Sequence, residues 1–279
     1  LDHNVTGTER LCEGLAGLRE LPRCMILASS RAVYGEGAFF DGRRRVFPEP
    51  RSAEALAAGR WELEDDAFSP LQPVPTPEDA PLRPNSVYGM TKVRQEQIVA
   101  DFSRAHGLRH TTLRLQNVYG PLQQLANPYT GIIGIFANGI LREGQVELFE
   151  DGLITRDFVS VRDVAAVIAT TIADDRAHPL TLNVGTGRPV TLRETVTMMS
   201  KTLGRQVEVM CSGRYRFGDV RHACADMSEY ELTFGPWHPL SLADGLADYL
   251  EWFQTQPAAP PHLRTGSFDE MERHGVLRK

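Results

Sequence analysis

Short apolar runs alternate with longer segments of helical pattern along this chain, and that alternation most narrows its fold. CMILASS (24–30), HTTLRL (110–115) and TLNVG (181–185) are too short for buried helices and read as strands. Helical segments separate them. One starts near Ser86, carries Val87, Met90, Val93, Ile98 and Phe102, and stops at Gly107; another is VRDVAAVIATTIA (161–173). An opening helix (Val5, Leu11, Leu15, Leu18) and stretches at 131–142, 192–203 and 241–254 complete the helical set, with VELF (146–149) and 207–210 extended. Strands joined by helical crossovers predict a parallel α/β sheet. Residues 35–85, rich in Gly, Pro and charge with a short helix at 52–59, form a connection long enough to be a functional insertion or lid. QNVYGP (116–121) reads as a loop, and the tail from Gln256, with Pro257, Pro260 and Pro261, as mobile.

Composition removes several function classes. A net charge of −6 over 279 residues opposes a general nucleic-acid binder, and the triplet Arg43-Arg44-Arg45 reads as a solvated surface run. Cys12, Cys24, Cys211 and Cys224 show no Cys-x-x-Cys spacing, so reduced thiols in a cytoplasmic protein are expected, without a metal site. No apolar run approaches the ~18 residues of a membrane span.

Within SVYGMTK (86–92), Tyr88 and Lys92 stand four positions apart on one helix face. With 7 Tyr and only Lys92, Lys201 and Lys279 available, such a pair arises by chance about 0.08 times in a chain of this length. An ammonium there favours ionisation of a phenol whose ordinary pKa is about 10. Removing a proton from a carbinol oxygen as hydride leaves carbon is work such a phenolate can do.

The ordered set of SS (29–30), SVYGMTK, LRLQNVYGP and RDFVSVRDVA resembles the extended short-chain dehydrogenase/reductases, and within them the sugar-nucleotide epimerase and dehydratase family, from Leu1 to about residue 254. The resemblance implies a partial Rossmann-type parallel sheet made of 1–120 and 152–187, with 35–85 inserted. A smaller C-terminal sugar-nucleotide-binding domain would comprise 121–151 and 188–254, followed by a flexible tail at 255–279. NVTGT (4–8) matches the family's fourth crossover helix, so about three βα units of roughly 30 residues each, with the glycine-rich NAD pyrophosphate turn, are expected to precede Leu1. GEGAFFDG (35–42) follows the wrong strand and opens no helix, so weak NAD binding by these residues alone is expected.

Carried over by motif, Tyr88 is the acid/base, Lys92 holds the nicotinamide ribose, Ser30 hydrogen-bonds the reacting hydroxyl, and Asn4 supports them. Gln116 joins Tyr88 and Lys92 in cofactor binding. Asn117, Arg156, Arg216 and Asp219 match positions at the diphosphate and ribose of the substrate, where arginine forks suit phosphate oxygens. Ser160 stands where many relatives have histidine. Dehydratases follow the Ser30 position with an Asp-Glu pair. Here Arg31-Ala32 offers no proton-transfer group, which argues against a 4,6-dehydratase and leaves 4-epimerisation through a 4-keto sugar. The insertion is similar to that of dTDP-L-rhamnose 4-epimerases and their antibiotic-pathway relatives, without their cysteine pairs. A 4-ketoreductase and a truncated non-catalytic homologue are the alternatives. A homodimer built through the Asn4 and Tyr88 helices is implied as well.

Overall fold

The computed structural model describes residues 2–67, 69–124, 131–176, 179–257, 272–273, 275 and 277–279. A π-helical turn at Asp2–Thr6 runs into α1 (Gly7–Ala16), and β1 (Cys24–Ser30) follows. The long connection carries β2 (Phe39–Phe40), β3 (Arg45–Val46), α2 (Ala53–Ala57) and β4 (Gln72–Pro73). Next come α3 (Val87–His106), β5 (Arg109–Leu115), β6 (Asn117–Tyr119), α4 (Ile132–Asn138) and β7 (Gln145–Leu148). Then follow β8 (Thr155–Arg156), β9 (Phe158–Ser160), α5 (Val161–Ala173) and β10 (Leu180–Val184). The remainder is β11 (Val190–Thr191), α6 (Leu192–Leu203), β12 (Glu208–Cys211), β13 (Tyr215–Arg216), α7 (Ser228–Phe234), α8 (Leu242–Gln254) and β14 (Leu277–Arg278).

The three apolar runs pair as a parallel sheet in the order β1-β5-β10. Ser30 and Val184 both stand opposite Leu115, so the three strands end at one level and their outgoing loops share one edge. In open α/β sheets that carboxyl edge is where ligands sit. QNVYGP is not all loop: Asn117–Tyr119 pairs in parallel with Phe158–Ser160.

Two apolar cores divide the molecule. One packs Leu113, Val159, Val167, Leu182 and Val184 around the sheet. The other gathers Phe136, Leu148, Val196, Met199, Leu246 and Tyr249 from α4, β7, α6 and α8. The insertion adds a small sheet, β3-β2-β4, and a core of Phe39, Leu63 and Leu71. Buried charges fasten it to the second half. Arg221, 1% exposed, pairs with Glu150 at 2.9 Å, Glu62 at 2.6 Å and Asp151 at 2.7 Å. Arg51 reaches the same Glu150 at 2.9 Å. Glu150 itself sits at φ 53°, a left-handed conformation that a non-glycine residue rarely holds.

Helix α3 departs from its apolar reading. Ser86 caps it by accepting from the Gly89 N–H, and Gly107 ends it at φ 63°, as the sequence predicts. Yet its buried face is polar: Gln95, Glu96, Thr91 and Ser103, with Val99. The reason is Arg114, which rises from the middle strand and needs a carboxylate; Glu96 supplies it at 2.9 Å and also accepts from Ser29 Oγ at 2.5 Å. Val87 and Met90 are left 66% and 56% exposed. The tail also differs from expectation at its end, because Leu277 is buried and pairs opposite Arg216. Residues 258–271 of that tail lie outside the described residues.

Candidate active site

Ser30, Gln116 and Gly185 leave the sheet at its carboxyl edge, and α3 crosses beside them. Its approach is set by Gly89: a Cβ there would meet the Ala32 carbonyl oxygen at 2.5 Å, so only glycine lets the helix start this close to the turn after Ser30. Tyr88, one residue earlier, is thereby delivered to Ser30's neighbourhood and is 51% exposed.

Ser30 Oγ accepts from the Ala32 N–H at 3.2 Å, capping a 3₁₀ turn at Arg31–Tyr34. That bond uses a lone pair and leaves the hydroxyl proton available to donate. Lys92 Nζ stands 5.8 Å from the Tyr88 ring centroid and donates to the Ala28 carbonyl at 2.9 Å. Burial pulls the Lys92 ammonium below its ordinary range, with Glu96 opposing. Behind the helix, Asn4 Nδ2 donates to Thr91 Oγ1 at 2.9 Å, and Thr91 Oγ1 donates to the Tyr88 carbonyl at 2.7 Å. Asn4 therefore steadies the turn that carries Tyr88. Gln116 is buried, and its Oε1 has no hydrogen-bond partner among the described residues.

The anion-facing residues are organised differently from the sequence reading. Arg156 does not stand free: Nη1 donates to the carbonyls of Thr155 and Val220, both at 2.8 Å, and Nη2 to Asp219 Oδ1 at 2.9 Å. The two expected substrate residues thus pair with one another and brace the 219–221 segment. Burial pushes the Asp219 carboxyl up, but the guanidinium groups of Arg156, Arg216 and Arg31 outweigh it and hold the carboxyl below its ordinary range. Arg216 lies on β13, and Asn117 starts β6 with its N–H donating to the Asp157 carbonyl at 3.0 Å. Ser160 caps α5 by accepting from the Arg162 N–H.

Sequence reasoning passed over three participants. Arg31 projects into the field of Arg156 and Asp219; burial, then Arg156, pulls its guanidinium down to about 10. Glu36, buried and raised by that burial, accepts from the Arg221 N–H at 3.4 Å. Asp157, fully buried in RDFVSV, ties the ends of β10 and the 225 segment together. The available signal was charge inside apolar runs: Arg114 in HTTLRL and Asp157 between Arg156 and Phe158 require buried partners. Among the described residues no group of three His, Cys, Asp or Glu side chains could hold a metal ion, and no helix is long and apolar enough to cross a membrane.

Residues 65–185 match the model of the NAD dependent epimerase/dehydratase family. The chain is 38% identical over 252 residues to a dTDP-L-rhamnose 4-epimerase of Burkholderia thailandensis, covering 89% of this chain and 68% of that protein. Among solved structures it is similar to MoeE5 in complex with UDP-glucuronic acid and NAD, at 30% identity and a TM-score of 0.69, covering 90% of this chain and 71% of that one. It is also similar to a UDP-glucose 4-epimerase of Thermotoga maritima with UDP-glucose, at 28% identity and a TM-score of 0.67, covering 91% and 70%.

Proposed function

The chain belongs to the NAD dependent epimerase/dehydratase family, and we propose that it serves 4-epimerisation of a nucleotide-diphosphate sugar through a 4-keto intermediate. The observation that carries this reading is the union of Ser30, Tyr88 and Lys92 at one sheet edge with Arg31-Ala32 where an acid–base pair would be needed to expel water. Gln116, Tyr88 and Lys92 would hold the nicotinamide end of NAD, which would supply reversible hydride acceptance at C4 of the sugar. The residues of its nicotinamide end fit: Gln116 offers an orphaned buried acceptor, and Tyr88 and Lys92 flank the same edge.

The chain's own residues move the proton. Tyr88, as phenolate, takes the proton from the C4 hydroxyl as the hydride departs, and the oxygen becomes a ketone. Ser30 donates a hydrogen bond to that oxygen throughout, and the Lys92 ammonium favours the phenolate. After the keto sugar turns over, Tyr88 gives the proton back to the oxygen. Asn117, Arg156, Arg216 and Asp219 form the nucleotide end. We assign the sheet core to the cofactor-binding part and the helical core to the substrate part, with Tyr119, Ile154 and Phe158 packing into the second and Ala225, Met227 and Tyr230 into the first. Leu11 on α1, Leu18 just beyond its end, and Val87 and Met90 on α3, all exposed, give the apolar surface of an isologous homodimer.

The test follows the protein with NAD and dTDP- or UDP-hexoses in deuterated water, by proton NMR and mass spectrometry. A C4 epimer of unchanged mass supports the reading. Loss of one water with deuterium appearing at C5 identifies a dehydratase and overturns it.

A further inference from the structure

We propose that Arg31 is a substrate-binding residue whose guanidinium takes the sugar-side phosphate of a nucleoside-diphosphate ligand, in a site walled by the Arg156–Asp219 pair. The inference rests on the nucleotide-sugar reading above and assigns it a residue that the motifs do not.

Position is the first argument. Arg31 follows Ser30 directly and opens a turn whose other members are fixed: Val33 is fully buried, and Tyr34 Oη donates to Asn183 Oδ1 at 2.8 Å and accepts from Arg114 at 3.0 Å. The Arg31 backbone is thus held rigidly between the reacting-hydroxyl position at Ser30 and the charges at 156 and 219. One hexose ring separates a reacting C4 carbinol from the phosphate on C1, a span that one extended arginine covers.

Availability is the second. The neighbouring guanidinium groups are engaged by protein: Arg156 by two carbonyls and Asp219, Arg51 by the carbonyls of Trp61 and Asp219, Arg221 by Glu62, Glu150 and Asp151. Arg31 is only partly exposed, yet its side chain makes no hydrogen bond or ion pair with any described residue. Glu36, the other carboxyl whose charge acts on Arg31, accepts from the Arg221 N–H and also feels the Arg51 guanidinium. A fork of five donors, partly desolvated and unmatched, is suited to phosphate oxygens.

Charge is the third. Asp219 is already paired with Arg156, and Arg31 and Arg216 add further positive charge beside it, with Glu36 the other carboxylate acting on Arg31. Although burial and Arg156 lower its pKa, it stays protonated at neutral pH.

Calorimetry on this chain with UMP, UDP and their dTMP and dTDP counterparts tests the proposal. For wild type, the diphosphates should bind more tightly than the monophosphates. Arg31→Ala should weaken diphosphate binding about 10- to 100-fold, the size of a lost charge-assisted contact, while monophosphate binding changes less than about 2-fold. Arg31→Lys, retaining charge without the fork, should recover part of the loss, and circular dichroism should show both variants folded. Equal binding of diphosphate by wild type and a folded Arg31→Ala overturns the assignment while leaving the function standing. A loss confined to UDP-glucuronate, with UDP unaffected, places the contact on a sugar carboxylate and overturns it too. Failure of wild type to bind any of these nucleotides refutes the nucleotide-sugar reading and, with it, this inference.

Discussion

Asp157 holds three chain segments together with one carboxylate, and replacing it by its own amide should be nearly as damaging as deleting it. Oδ1 accepts from Thr186 N at 2.7 Å and Thr186 Oγ1 at 2.6 Å; Oδ2 accepts from Gly187 N at 3.0 Å and Ala225 N at 3.1 Å. The residue has no exposed surface. Asparagine keeps one carbonyl oxygen; its NH2 then faces two N–H donors in the Oδ2 position, or one N–H and the Thr186 hydroxyl in the Oδ1 position. A buried donor without an acceptor costs about 1–3 kcal/mol, so one or two of them place Asp157→Asn at about 1–6 kcal/mol of destabilisation. Domains of ordinary stability hold only about 5–15 kcal/mol, so the effect is a large share of the total. Urea unfolding followed by tryptophan fluorescence reads it, and Trp237 reports locally because its Nε1 donates to the Gly185 carbonyl at 2.9 Å. The comparison is with Asp157→Ala. If Asp157→Asn stays within about 1 kcal/mol of wild type, the carboxylate is not the acceptor that the geometry requires.

Other consequences can be measured separately. Burial, with Asp226 and Glu229 adding to it, lifts the Glu78 carboxyl to about 7, although it accepts from the Asn183 N–H at 2.6 Å. A carboxyl raised on folding contributes stability that is complete below its unfolded value and is lost as pH rises through about 7. Glu78→Gln should therefore gain on wild type in urea melts at pH 8 relative to pH 5; an equal difference at both would refute this. Tyr88→Phe should cost the enzyme about 10²–10⁴-fold in turnover, as a lost acid/base does. Val87→Asp with Met90→Asp should convert the proposed dimer to monomer in light scattering, and an unchanged mass would show that the exposed face of α3 is not the interface.

The strands and most helices were legible because burial period and caps are local properties: Ser86 and Gly107 bracket α3 as read, and α6 and α8 fall where the pattern puts them. What was not legible is pairing at a distance. No spacing rule shows that Arg114 will pull Glu96 inward from 18 residues away and so turn the apolar side of α3 outward. The same holds for the site. The Tyr88–Lys92 relation lies within one helical turn and can be read from sequence, whereas Arg156 meets Asp219 across 63 residues, and the pairing changes what each has left to offer a ligand. Arg31 was read for the chemistry that it cannot perform. That its side chain makes no hydrogen bond or ion pair among the described residues is visible only in three dimensions.

The ion cluster joining the insertion to the second half also constrains how this protein can change over generations. Arg51 and Arg221 share Glu150, and Glu62 and Asp151 complete the set. Losing Glu150, the buried carboxylate that Arg51 and Arg221 share, costs about 3–5 kcal/mol, whereas replacing a buried pair together by apolar residues is often neutral or favourable. Single substitutions therefore lead downhill from either end state, and descendants should keep the set whole or exchange it as a block. Glu150 makes the block harder to leave, since its left-handed backbone is worth keeping only while two guanidinium groups hold its carboxylate.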